Sequence, residues 1–284
     1  MRWWPKVEER IARAIMIAST ALVAACLGAL LVTILIKGLP ALDVAMLTQV
    51  PKGGYYLGKE GGILNAIVGS LCLAGGATIA SLFLGLPAAM FLQSEYAGRS
   101  KVTGFIRFSL DVLWGVPSIV YGAFGFTIMV LAGIRASLLG GIIALALLIL
   151  PVMIRAMDEV LQAVPMGLKE GSYSLGATRW ETSARVALRQ ALPGMITAVL
   201  LAFGRAIGDA ASVLYTAGYT DSLPTSLFRP VASLPLAVFF QLGTPFAKVQ
   251  QRAYAAALVL TFIVLFVSVA SRLFTRRFSK HVAK

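Results

Sequence analysis

Apolar residues fall in long runs separated by short polar stretches, and a helix that crosses a bilayer needs about 20 predominantly apolar residues. Six runs meet that length, at about residues 14–36, 64–92, 108–131, 137–157, 194–217 and 253–274. Glycine and proline recur inside them, as membrane helices tolerate. The pattern predicts an all-α polytopic membrane protein with six transmembrane helices in a domain spanning 14–274. A short N-terminal segment (1–13), a polar loop at 158–193 and a basic tail at 275–284 complete the division. Two further connections, 37–62 and 218–251, are long enough to meet an external partner or simply to cap the bundle, and both carry turn formers such as Pro51-Lys52-Gly53-Gly54 and Ser222-Leu223-Pro224.

Composition agrees with that pattern. The 284 residues are 58% hydrophobic and 13% charged, too apolar for a soluble domain. The formal charge of +13 raises nucleic acid as a partner, yet basic residues beside apolar spans follow the positive-inside rule instead. Basic residues crowd into 2–13, 99–107, 155–189 and 272–284. The other side holds only Lys37, Lys52, Lys59, Arg135, Arg229, Lys248 and Arg252. Both termini are therefore expected in the cytoplasm, in contact with membrane lipids and not with nucleic acid. Trp3 and Trp4 fit an interfacial anchor, and Glu95-Tyr96 marks the cytoplasmic interface of the second span. Cys26 and Cys72 lie within apolar runs and have no metal-ligand spacing. Leu22 to Cys26 has the look of a lipoprotein cleavage box, but the apolar run continues to Ile36 and reads as a span.

The 158–193 loop carries helix punctuation. Pro165 suits a helix start, Gly176 a left-handed stop, and Thr178-Arg179-Trp180-Glu181 a capping box that opens a second helix ending near Leu192-Pro193. Two amphipathic pieces joined at an elbow and tied at both ends to spans fit either a lever or a surface loop lying on the membrane.

Gly204-Arg205-Ala206-Ile207-Gly208-Asp209 falls near the middle of the fifth run. Insertion of a central arginine costs about 3 kcal/mol, so the residue needs a partner. Asp209 stands one turn along on the same helical face and is expected to pair with it. Gly204 and Gly208 form a small-xxx-small face for close helix approach. Such a pair is either a structural neutralisation or part of a translocation path, in which the guanidinium fork receives an oxyanion and Asp209 tempers its hold. Elsewhere, Asp111 is expected to pair with Arg107 four residues earlier. Pro117 is expected to kink the third span, near Ser118 and Tyr121. His281, in the basic tail, makes an implausible catalyst.

Two motifs carry a family resemblance. Glu170-Gly171-Ser172, three residues, Gly176, nine residues, then Val186-Ala187-Leu188 resembles the EAA loop of ABC importer permeases, with Gly171-Ser172 replacing two alanines and Arg189 standing where proline is usual. The Gly204 to Asp209 run is similar to the signature of phosphate-importer permeases, which usually carry Glu at the last position. Gly38-Leu39-Pro40-Ala41-Leu42, Gly61-Gly62-Ile63, Gly115 to Gly122, Leu175 to Thr178 and Pro230 to Pro235 extend the resemblance to the PstA type along nearly the whole chain.

The resemblance implies a type I ABC importer permease architecture with a cytoplasmic coupling helix, in a bacterial inner membrane. The implied function is a permease subunit of an ATP-driven importer of inorganic phosphate. Implied partners are a second phosphate permease subunit, two ATPase subunits and an external phosphate-binding protein. Arg205 and Asp209 would line the substrate pathway. Glu170, Gly176, Thr178, Arg179, Trp180, Glu181, Val186 and Leu188 would couple to the ATPase. The sequence has no phosphate-cradling Gly-rich Lys-Ser/Thr loop, no metal cluster and no catalytic constellation. It is expected to be a non-catalytic subunit without a cofactor of its own, ATP and Mg being bound by the partner ATPase. Phosphonate, sulfate or molybdate remain open as substrates, because a guanidinium does not choose among oxyanions by charge. An autonomous anion carrier or channel is a more distant alternative.

Overall fold

The computed structural model describes residues 4–52, 60–93 and 100–278. Trp3, Gly53, Gly54, Lys59, Glu95, Tyr96, Arg99, His281 and the end of the basic tail, on which parts of the sequence reading fall, lie outside the described residues. The chain is helical: α1 (Trp4–Gly38), α2 (Val44–Thr48), α3 (Leu64–Phe91), α4 (Lys101–Gly115), α5 (Ser118–Leu131), α6 (Leu138–Gln162), α7 (Met166–Ser174), α8 (Arg179–Glu181), α9 (Leu188–Gly208), α10 (Leu234–Leu242) and α11 (Ala247–Phe278). A two-residue β ribbon pairs Pro51–Lys52 with Glu60–Gly61. Among the described residues five helical stretches are long and apolar enough to span a membrane, and the α4–α5 pair makes a sixth if counted as one span.

The core forms where α3, α6 and α9 meet, around Leu73, Leu145, Leu148, Ile149, Met153, Met157 and Ile207. A second cluster joins Met46 and Ile63 to Leu234, Ala237, Ala255 and Ala256. By contrast, α1 is exposed along its apolar length and packs on α11, as expected of a helix whose solvent is lipid.

Two spans and one connection depart from the pattern-based expectation. The third is broken, not kinked: α4 and α5 meet at 96°. Pro117 disfavours the helical conformation at the residue before it, and Val116 and Pro117 are both extended. The Tyr121 hydroxyl donates to the carbonyl of Leu113 at 2.9 Å, satisfying a backbone group at the break.

The fifth span starts earlier and ends earlier than 194–217. Helix runs continuously from Arg179 through a π turn at Thr182–Ala187 and across Pro193 to Gly208, so no break separates the loop from the span at Leu192-Pro193. Asp209 then turns extended (φ −83°, ψ 125°). Arg205 thus sits in the last turn of α9, not at the middle of a longer helix.

The 218–251 connection is not only a surface loop. Its residues 231–237 are buried and lead into α10. The backbone N–H of Leu234 donates to Ser70 Oγ at 2.7 Å, and Asn65 Nδ2 donates to the Thr220 carbonyl at 2.7 Å. Gly69 makes this approach possible, since a Cβ there would fall 2.0 Å from the Ala232 carbonyl oxygen.

Candidate functional site: a surface arginine, a capped elbow and a buried carboxylate

The elbow follows the sequence signals closely. Pro165 caps α7, Gly176 adopts φ +81°, and Thr178 and Glu181 form a reciprocal capping box. Glu181 Oε2 accepts from the Thr178 N–H at 3.0 Å and from its hydroxyl at 2.9 Å, while the Glu181 N–H donates to Thr178 Oγ1 at 3.3 Å. The Glu181 carboxylate therefore works inside the elbow. Ser172, where the EAA pattern has alanine, shares a 2.9 Å hydrogen bond with buried Thr182 and fastens α7 to the π turn. Glu170, Gly176, Arg179 and Trp180 are exposed, while Val186 and Leu188 are half-buried. The elbow presents an exposed crest on a fixed internal frame.

At the end of α9, Arg205 is exposed and has no carboxylate within ion-pairing distance among the described residues. The expected intrahelical pair with Asp209 does not form. Asp209 Oδ2 instead accepts the backbone N–H of Ser212 at 2.8 Å and also its hydroxyl. That is the work of a helix N-cap: the helix stops at Gly208 and Asp209 opens a new turn. Thr216 Oγ1 donates to the Ser212 carbonyl at 2.9 Å inside that turn, and Gly218 closes it with φ +75°. The Gly208-Asp209 dipeptide, a helix terminator followed by a capping residue, was the sequence signal for this break. The α5 helix lies against the turn at Gly122. Nothing lies within 4 Å of a Cβ built on Gly204 or Gly208, so this chain leaves their face open.

A third cluster escaped the sequence reading. Asp158 of α6 is fully buried, and Arg107 of α4 donates to it through Nε at 2.7 Å and Nη2 at 3.0 Å. Gln93 Nε2, Gln162 Nε2 and Arg155 Nη1 donate to the same carboxylate at 2.9, 2.8 and 3.4 Å. The expected Arg107–Asp111 pair is replaced, because Asp111 meets Arg155 Nε at 2.8 Å. Arg155 and Asp158, three residues apart at the end of an apolar run, were the available hint. Their partners come from elsewhere in the chain. Among the described residues no group of three or more His, Cys, Asp or Glu could hold a metal ion.

Residues 81–284 match the family described as binding-protein-dependent transport system inner membrane component. The chain belongs to this family. The phosphate transport system permease protein PstA of Yersinia pestis is 34% identical over 269 residues, covering 95% of this chain and 90% of the relative. PstA 1 of Mycobacterium tuberculosis (strain H37Rv) is 38% identical over 214 residues, covering 74% of this chain and 68% of the relative. An inward-facing structure of the MetNI methionine ABC transporter superposes with a TM-score of 0.63 at 19% identity, covering 76% of this chain and 95% of that one, which supports the fold. The permease is thus a multi-pass membrane transport subunit of type I ABC importer architecture, not an enzyme, and ATP hydrolysis belongs to partner subunits. Membership implies association with ATPase and substrate-binding partners.

Proposed function

We propose that this permease is one of two transmembrane subunits of an ATP-driven phosphate importer in a bacterial inner membrane, with both termini in the cytoplasm. Its partners in this reading are a second phosphate permease, two ATPase subunits that bind ATP and Mg, and an external phosphate-binding protein. Both PstA relatives named above are phosphate transport permeases, aligned with this chain over 90% and 68% of their own length, which supports the substrate.

The observation that carries the reading is Arg205: a guanidinium exposed at the end of an apolar helix, with its expected counter-ion turned away. A membrane arginine left without a carboxylate needs another partner, and an oxyanion suits its planar fork. Asp209 shapes the turn beside it. The open Gly204 and Gly208 face receives the second permease, closing the pathway around Arg205. The ATPase grips the exposed crest of the elbow at Glu170, Gly176 and Trp180, while Thr178, Glu181 and Leu188 hold its frame. Because helix continues from Arg179 to Gly208, rotation of the elbow moves Arg205 directly, giving alternating access.

The test is uptake by the complete complex in vesicles, supplied with its binding protein and ATP, with phosphate competing against sulfate, molybdate and a phosphonate. Selective phosphate uptake that requires ATP supports the reading. Preference for another oxyanion reassigns the substrate, and flux through this chain without ATPase partners makes it an autonomous carrier.

A further inference from the structure

The elbow has two exits. Through α8 and α9 it reaches Arg205; through α7 it reaches the end of α6, where Gln162 stands three residues before the α7 cap at Pro165. Asp158 sits one turn inside that second exit. Its carboxylate is saturated: Oδ1 accepts from Gln93 and Arg107, and Oδ2 from Arg107, Gln162 and Arg155. Arg107 Nη2 also donates to the Leu92 carbonyl at 2.9 Å, so the end of α3, the middle of α4 and the last turns of α6 are tied at one point.

The α4 helix fully buries only Thr103 besides this link. Beyond the 96° bend it leads to α5, where a Cβ on Gly122 would fall 2.8 Å from the carbonyl oxygens of both Ala211 and Ser212. That is the turn opened by Asp209. One exit of the elbow therefore carries Arg205, and the other leads to the helix that packs against the turn following Arg205.

We propose that Asp158 is a positioning residue for transport: its clamp on Arg107 makes α4 and α5 move with the elbow, so that both sides of the Arg205 site shift together. A buried ion network is weak support for stability, since apolar replacements of similar volume are often as stable. The bidentate geometry, however, fixes the orientation of α4 on α6. This inference rests on the importer reading above.

The experiment uses the assembled importer in vesicles, and reads phosphate uptake per ATP hydrolysed for Arg107→Gln, Asp158→Asn, the double variant and Arg107→Lys. Expected are complexes that assemble and hydrolyse ATP at close to the unaltered rate, with uptake per ATP reduced roughly tenfold in each single variant. The double variant is no worse than either single, and Arg107→Lys lies between, having the charge without the fork. Should Asp158→Asn fail to assemble, Arg107→Gln still decides, because Asp158 keeps Gln93, Arg155 and Gln162. Unchanged uptake per ATP in assembled Arg107→Gln overturns the clamp, as does a loss of uptake matched by equal losses of ATP hydrolysis and assembly. If the unaltered complex takes up no phosphate, the importer reading fails instead.

Discussion

Asp209 accepts the backbone N–H of Ser212 at 2.8 Å and its hydroxyl as well, which turns the carboxylate away from Arg205 four residues earlier. Among the described residues the arginine has no carboxylate partner, and the acid is a structural cap. In the importer reading proposed above, the two residues of the signature divide their labour, one meeting the anion and one building the turn beside it.

Arg205→Gln should keep the complex assembled and the ATPase bound while abolishing phosphate uptake. Glutamine fits an exposed helical position but offers no charged fork to an oxyanion. Uptake at the unaltered rate by vesicles containing the variant would reduce Arg205 to a packing role.

Asp209→Ala removes the acceptor for Ser212 and should destabilise the turn by about 1 kcal/mol, the usual worth of a cap. Ser212→Ala should cost less, because the backbone donor at 2.8 Å remains. The check is the Tm of the purified subunit in detergent. Equal effects of the two substitutions would mean that the hydroxyl bond, not the amide bond, holds the turn.

Glu170→Lys reverses a charge on the exposed crest of α7 without touching the capping box. Recovery of the ATPase with the permease in affinity purification should fall sharply, with the fold of the permease unaltered by circular dichroism. Thr178→Ala, in contrast, should lower the stability of the elbow by about 1 kcal/mol and raise its susceptibility to limited proteolysis. Full ATPase recovery by Glu170→Lys would remove that residue from the docking surface.

Gly69→Ala tests the inward fold of the 218–242 segment. The added methyl would fall 2.0 Å from the Ala232 carbonyl oxygen, a backbone atom with no rotamer to adopt. Overpacking of this kind costs typically 1–3 kcal/mol, about the scale expected here, read as a drop in Tm. Gly204→Ala, with nothing within 4 Å in this chain, should leave the isolated subunit unchanged and weaken only its pairing with the second permease.

The sequence by itself determined the local elements. Apolar runs, Pro165, the left-handed Gly176 and the Thr178–Glu181 box are signals that act within a few residues, and α7, α8 and the spanning helices appear close to where those signals stand. Ends of spans were less legible, because an apolar run does not say where helix gives way to extended chain: 194–217 reads as one span, yet Asp209 caps a new turn. Only the tertiary structure decided which charges meet. Arg107 lies four residues from Asp111 but bonds to Asp158, far along the chain, because the approach of α4 to α6 buries that carboxylate and leaves Asp111 half exposed beside Arg155. A buried charge requires donors and takes them from whichever helices packing brings within 3 Å or so, and helical periodicity records only neighbours on the same helix.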